Sequence, residues 1–298
     1  MKKLALALYR ALLRLYPLNA GLTPLSFNSV TDWMLSDLRG PVHASMRDGL
    51  VIETDPHDHD GRVLFLFGSC DFKVTTAVTS MLSEGDVLLD IGANHGTIGL
   101  AARHSVGGTG EVHLFEPQPH LADILETAVA SAGVERVFVH RLALFDRDDE
   151  LTMHRAPQHS GRGTLIDRTD APEFDTMITV TARETGPYLA DLLRGRRFGA
   201  KLDVEGAEAA VLPGLFAQPN LAFCVFEGVG QQADLFALFT QQGFVIYGLN
   251  RHPVRFGLTR IDRVADMKRF HDFAAVPRDQ IEGGGKTAVG RAIARYAR

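Results

Sequence analysis

Cysteine is nearly absent from this chain: 298 residues contain only Cys70 and Cys224. Two distant thiols form no disulfide framework and no metal-finger spacing, so a reducing, cytoplasmic setting is expected, with each cysteine a small core residue. Long apolar runs are also lacking. The first segment, MKKLALALYRALLRLYPL, is broken by Arg10 and Arg14, has no small-x-small cleavage site and is too short and charged to span a bilayer. A basic surplus is missing as well, since the formal charge is −5. Setting aside Lys2, Lys3, Arg10 and Arg14 near the start and Lys286, Arg291, Arg295 and Arg298 near the end leaves 23 bases against 36 acids. A body that acidic argues against a nucleic-acid substrate, which needs a basic surface. No internal repeat is visible. What the chain does have, 45% hydrophobic and 22% charged residues, is the composition of an ordinary globular protein with ample core.

The most informative stretch is VLLDIGANHGTIGL, residues 87–100. Val87, Leu88 and Leu89 read as a buried parallel strand, Gly92 and Gly96 flank a turn, and Thr97, Ile98 and Leu100 continue at helical spacing. A strand turning through glycines into a helix N-terminus lets a nucleotide-like ligand approach bare backbone. The dinucleotide pattern G-x-G-x-x-G fails, because Asn94 and Thr97 occupy its second and third glycine positions. Asp90, two residues before the first glycine, would repel a pyrophosphate and suits a cationic, phosphate-free cofactor such as S-adenosylmethionine. EVHLFEP at 111–117 is a second strand ending in Glu116, an acid placed to hydrogen-bond both ribose hydroxyls. A purely structural strand-turn-helix is the bland alternative, weakened by this pairing of acids at two strand tips.

Residues 1–60 read as a basic amphipathic N-terminal helix and cap, 61–278 as the main domain, and 279–298 as a basic tail. In the first helix Lys3, Ala7, Arg10 and Arg14 form one stripe and Leu4, Leu8, Leu12 and Leu15 another. In the tail Val289, Ile293 and Tyr296 oppose Arg291, Arg295 and Arg298. Both ends could dock on the acidic body or a partner subunit, or lie on the inner face of an anionic membrane. DPHDHDG at 55–61 reads as a solvated turn rather than a metal site, lacking regular ligand spacing. RVLFLFG at 62–68 is expected as a strand, 72–82 as a helix, 119–132 as a helix and RVFVHR at 136–141 as a strand. Residues 142–184 break into short strand-like pieces around a Gly/Ser/Arg-rich turn at 159–164, an insertion expected to shape the acceptor site. Strands follow at 198–206, 221–228 and 244–249, with 255–261 as an antiparallel edge. The expected fold is α/β, a doubly wound and mainly parallel sheet with helices on both faces. GGGKT at 283–287 lacks the upstream glycine and strand of a phosphate-binding loop and reads as a flexible linker.

KLDVEGAE at 201–208 is the second constellation. Three charges on an apolar strand are costly unless they face an open crevice. Methyl transfer is an in-line displacement in which the protein aligns the acceptor, excludes water and accepts a proton. Asp203 is the candidate for orienting or deprotonating a hydroxyl, while Glu205 and Lys201 position the acceptor or pair with each other. Asp203 and Glu205 could instead hold a divalent cation, and an ion-paired strand end is the structural alternative.

With both motifs in hand, the chain resembles the FkbM-type family of S-adenosylmethionine-dependent methyltransferases. The matching pieces are VLLDIGANHGTIGL, VGGTGEVHLFEPQP, RLALFD at 141–146 and KLDVEGAEAAVLPGL, covering roughly residues 60–230. The resemblance implies a class I methyltransferase (Rossmann-like) fold and O-methylation, often of sugar hydroxyls in glycans or glycosylated natural products. It implies that Asp90, Gly92, Asn94 and Gly96 line the methionine end of the cofactor, that Glu116 takes the ribose, and that Ala143 and Leu144 lie beside the adenine. Asp71 lies where such proteins often have an acid approaching the cofactor, although Cys70 replaces the usual aromatic. His95 fills a variable slot as a cap or packing residue. The expected partner is a small-molecule or glycan acceptor; the oligomeric state stays open, a dimer included. Rival readings are a nitrogen- or lipid-directed methyltransferase, a nicotinamide oxidoreductase, disfavoured by the glycine spacing, and a non-catalytic module that keeps the cofactor pocket.

Overall fold

The computed structural model describes residues 1–15, 22–156, 158–167, 174–250, 255–282 and 285–297. Helices α1 (Lys2–Arg14), α2 (Leu22–Ser26) and α3 (Ser29–Leu35) precede an antiparallel hairpin, β1 (Val42–Ser45) and β2 (Val51–Thr54). Helix α4 (His59–Phe67) follows, where a strand was expected at 62–68. Asp58 starts it by accepting a hydrogen bond from the Gly61 N–H at 2.8 Å, and Gly68 ends it with φ +72°. Leu64, Leu66 and Phe67 are fully buried, because α4 is enclosed by α1, α2 and the hairpin. Its second half, residues 63–67, is buried on every side and leaves no period to read. The expected boundary between residues 60 and 61 falls inside this helix.

The main sheet is built from β3 (Val87–Ile91), β4 (Glu111–Phe115) and β5 (Val137–His140), alternating with α5 (Phe72–Met81), α6 (Thr97–Val106) and α7 (Pro119–Ser131). The insertion forms its own sheet of β6 (Ala143–Phe145), β7 (Asp149–Ala156), β8 (His159–Thr164) and β9 (Thr176–Glu184), in the order β6-β9-β7-β8. The expected turn at 159–164 is therefore a strand: His159 and Thr164 pair with Ala156 and His154 of β7. Helix α8 (Thr185–Leu193) follows the insertion, with Pro187 in its first turn, where a proline loses no helical hydrogen bond. The chain continues through β10 (Phe198–Leu202), α9 (Glu208–Phe216), β11 (Leu221–Glu227), α10 (Gln232–Gln241), β12 (Phe244–Leu249), β13 (Leu258–Ile261), α11 (Val264–Met267), β14 (Asp272–Pro277), α12 (Arg278–Glu282) and α13 (Ala288–Tyr296).

The strand order is β13-β12-β14-β11-β10-β3-β4-β5. From β11 to β5 every pairing is parallel, and β13 is the anticipated antiparallel edge. Strand β14 runs antiparallel between β11 and β12 and had gone unread, since DFAAVP offers little apolar pattern. Leu88, Val112 and Leu114 face one core with α1, α4, α5, α6, α7 and α13, while Val87, Leu89 and Ile91 face another with α8, α9 and α10. The tail is part of the body, with Val289, Ala292 and Ile293 buried and α13 packed on α5. Of the expected linker, residues 283–284 lie outside the described residues; Thr287 caps α13 through the Gly290 N–H at 3.0 Å. Among the described residues no helix is long and apolar enough to cross a membrane.

Candidate active site

The crossovers run in opposite directions from β3, to β4 on one side and to β10 on the other, which opens a crevice beyond the strand ends. Gly92 turns there with φ +77°, and a Cβ on it would collide with the Asp203 carbonyl oxygen. Lys201 locks the two tips together from below. Its buried ammonium donates to the Gly92 carbonyl at 2.5 Å and lies 3.4 Å from Asp90 Oδ1 and 3.5 Å from Asp203 Oδ2. Burial favours the neutral amine, but Asp203 and Asp90 outweigh it and hold the Lys201 pKa above the ordinary lysine value.

A cavity of about 300 Å³ fills the crevice. At one end stands Glu116, buried, whose Oε2 accepts from the Asn94 N–H at 2.7 Å and whose Oε1 accepts from the Gln118 N–H at 2.9 Å. Each oxygen keeps a second lone pair, so the carboxylate can still receive a diol. Burial, partly offset by those two N–H groups, pushes its pKa up to about 7. Leu142, Ala143, Leu144 and Phe115 supply an apolar wall. Asp71 lines the cavity while capping α5 through the Val74 N–H at 2.9 Å, and Lys73 bridges it to Asp272 of β14.

The other end is acidic. Oxygens of Asp203, Glu205 and Glu227 all lie within 4.8 Å of one another, a spacing that could hold a cation or share a proton. Burial, then Asp203 and Glu208, pushes Glu205 up to about 7; burial, then Asp203 and Glu205, pushes Glu227 up to about 8. Glu205 adopts φ +50°, a left-handed backbone that a non-glycine residue rarely holds without support. That support comes from the insertion: Thr164 Oγ1 donates to the Glu205 carbonyl at 2.6 Å, while Glu208 accepts from the Val204 and Gly206 N–H groups at 3.1 Å.

Of the residues singled out from the sequence, Gly92, Asn94, Glu116, Ala143, Leu144, Asp71, Lys201, Asp203 and Glu205 line one cavity. Asp90 and Gly96 do not line it. Asp90 is buried under the turn, with Oδ2 accepting from the Gly99 N–H at 2.9 Å, so it anchors the loop. A Cβ on Gly96 would strike Leu125 of the core. Lys201 pairs with Asp90 and Asp203 rather than with Glu205.

The sequence reading missed Asp60 and Asp272 as wall residues; Glu227 is expected at a strand end beside the crevice, with no role attached, and it lines the cavity. The segment 55–61 is not a solvated turn throughout. Asp58 accepts from the Ser160 N–H at 2.7 Å and from its Oγ–H at 2.8 Å, and Asp60 Oδ2 accepts from Asn94 Nδ2 at 2.7 Å. His59 stacks between Phe27 and His159, with centroids 4.6 and 4.2 Å away, and bonds Asp60 through Nδ1 at 2.9 Å. Burial opposes the Asp60 charge, but His59 and His159 hold its pKa below the ordinary value. His59, Asp60 and His159 also offer ligand atoms within 4.8 Å of one another. The alternation of His and Asp at 57–60 was the available signal, and His159 lies too far along the chain to reveal it.

Residues 90–246 match the methyltransferase FkbM domain model. A search of curated proteins returns no match. Among solved structures, an FkbM methyltransferase from Methylobacillus flagellatus KT is 16% identical with a TM-score of 0.42, the alignment covering 66% of this chain and 47% of that one. A precorrin-6y C5,15-methyltransferase from Geobacter metallireducens GS-15 is 10% identical with a TM-score of 0.38, covering 68% and 87%. A SAM-dependent O-methyltransferase from Thermotoga maritima is 13% identical with a TM-score of 0.37, covering 80% and 94%.

Proposed function

The chain belongs to the FkbM methyltransferase domain family and is an S-adenosylmethionine-dependent methyltransferase; from that premise we propose that it O-methylates a hydroxyl of a saccharide, glycan or glycosylated metabolite. The observation that carries this reading is the Asp203, Glu205 and Glu227 cluster, set in the same cavity as Glu116. When bound, the cofactor supplies a methyl group made electrophilic by the sulfonium. The residues present fit it. The free lone pairs of Glu116 suit the ribose diol, and Ala143 and Leu144 suit an adenine face. Asn94 and the Gly92 turn offer bare backbone, and Asp71 offers a carboxylate to an ammonium.

At the acidic end Asp203 accepts a hydrogen bond from the acceptor hydroxyl and orients its lone pair toward the methyl. The hydroxyl proton passes to Glu205, whose carboxyl, pushed up to about 7, matches a base working at neutral pH, while Glu227, pushed up to about 8, keeps its own proton there. Lys201 takes no proton; it fixes the angle between Asp203 and the Gly92 turn. A sugar suits the walls because Asp60, Ser160 and Gln118 give it further hydrogen-bonding partners. Mass spectrometry of glycans isolated from cells with and without the protein tests this. The expected result is the loss of one methyl from one sugar oxygen; a methyl lost from nitrogen or lipid, with glycans unchanged, overturns it.

A further inference from the structure

Thirteen large hydrophobic side chains are exposed among the described residues, and seven of them fall within the first 33 positions. The others are scattered singly through the fold, as in most proteins. On α1 the arginines face the body and the leucine stripe faces away from it. Leu6 and Leu13 pack into the core, Tyr9 Oη donates to the Leu25 carbonyl at 2.7 Å, and Arg10 and Arg14 donate to the Phe65 and Ser45 carbonyls at 3.0 and 2.7 Å. The basic stripe therefore helps to fasten the helix to the body. The leucine stripe faces out, with Leu4, Leu8, Leu12 and Leu15 exposed by 67, 59, 67 and 80%. Their spacing of four, four and three residues keeps them on one face.

We propose that this face of α1 lies in the surface of an anionic lipid bilayer and holds the protein there. The first acid of the chain is Asp32, so the first 31 residues carry Lys2, Lys3, Arg10 and Arg14 against no acid, while the rest of the chain is net negative. In space Lys2 pairs with Asp37 at 2.9 Å and Arg10 and Arg14 face the body, which leaves Lys3 exposed beside the leucine stripe. An anionic surface attracts this end and repels the rest, which orients the molecule. Trp33 is 49% exposed beside the first turn, with the Lys2 ammonium 5.7 Å from its ring, the pairing of an amphipathic aromatic and a cation that suits the headgroup level. A second copy of the chain is the weaker occupant. A helix face about 20 Å long and about 10 Å wide presents roughly 200 Å², against about 800 Å² per partner in a stable protein interface. A shallow apolar strip, with the exposed Lys3 and Trp33 at its N-terminal end, is instead what an interfacial helix needs.

The test is co-sedimentation of the full chain with phosphatidylcholine vesicles, with and without about 30% phosphatidylglycerol. The expected result is binding to the anionic vesicles only, weakened by salt, with a blue shift in the fluorescence of Trp33, the single tryptophan. Leu8→Glu/Leu12→Glu should lower the bound fraction at least about tenfold while S-adenosylhomocysteine binding stays unchanged, which shows that the variant is folded. Leu4→Ser/Leu12→Ser should give a smaller loss in the same direction. No binding to anionic vesicles, equal binding to neutral ones, or native-like binding by Leu8→Glu/Leu12→Glu overturns the proposal. A dimer that this variant splits, with vesicles left untouched, assigns the face to a second copy and overturns it as well.

Discussion

The two ends of the cavity are both made of carboxylates, yet they are built in opposite ways. Glu116 is held by two backbone N–H groups and has no acid among the causes shifting its pKa, whereas Asp203, Glu205 and Glu227 crowd one another. The first arrangement holds one carboxylate still, as the proposed cofactor site requires. The second stores like-charge repulsion that a proton, a cation or a bound hydroxyl relieves, and that is the property a proton acceptor requires. Between them Lys201 neutralises Asp90 and Asp203 and keeps the two strand tips in register.

The severest way to break this contrast is to remove the lysine. Lys201→Met leaves Asp90 buried and unpaired, and urea unfolding should show a loss of about 3–5 kcal/mol; a variant of native stability with only turnover reduced would make Lys201 a catalytic group. Asp203→Asn comes next: turnover should drop about a hundredfold while S-adenosylhomocysteine affinity stays within about twofold by calorimetry. Equal losses in both would move Asp203 to the binding end. Glu116→Ala should do the reverse, weakening S-adenosylhomocysteine at least about tenfold, on the order of 1.4 kcal/mol, and native affinity would sink that assignment.

The smallest effect concerns pH. The Glu227 carboxyl is raised from 4.5 to about 8, so the folded chain keeps a proton that the unfolded chain gives up. Its contribution to stability therefore declines as pH climbs from 4.5 toward 8. Glu227→Gln should flatten that decline and raise Tm at pH 8 by about 2–4 °C, on the order of 1 kcal/mol. A Tm that falls at pH 8 would show the acid cluster to be stabilising, and the contrast between the two ends would dissolve.

The Glu116 end of the cavity was legible because its parts are neighbours in sequence. Gly92, Asn94 and Glu116 sit on one β-α-β unit, where a glycine turn and an acid one strand later have a fixed spatial relation. The acidic end was partly legible: Asp203 and Glu205 share a strand tip and Glu227 ends a readable strand, but Asp272 comes from β14, whose alanines concealed the strand. Asp60 was lost for a different reason. An unbroken apolar run has the same composition in a buried helix and a buried strand, so α4 could not be told from a strand by pattern. The leucine stripe on α1 was visible as a stripe, but which side faced the body was not.

Hydrophobic period, glycine spacing and acid placement by themselves determined the doubly wound sheet, its antiparallel edge and the Glu116 end of the cavity, because each depends on residues close along the chain. Tertiary structure alone decided that Asp90 anchors rather than lines, that α4 and the insertion wall the cavity through Asp60 and Ser160, and that Leu4, Leu8, Leu12 and Leu15 remain uncovered. Burial and pairing are properties of what arrives from elsewhere in the chain, and no local pattern carries that information.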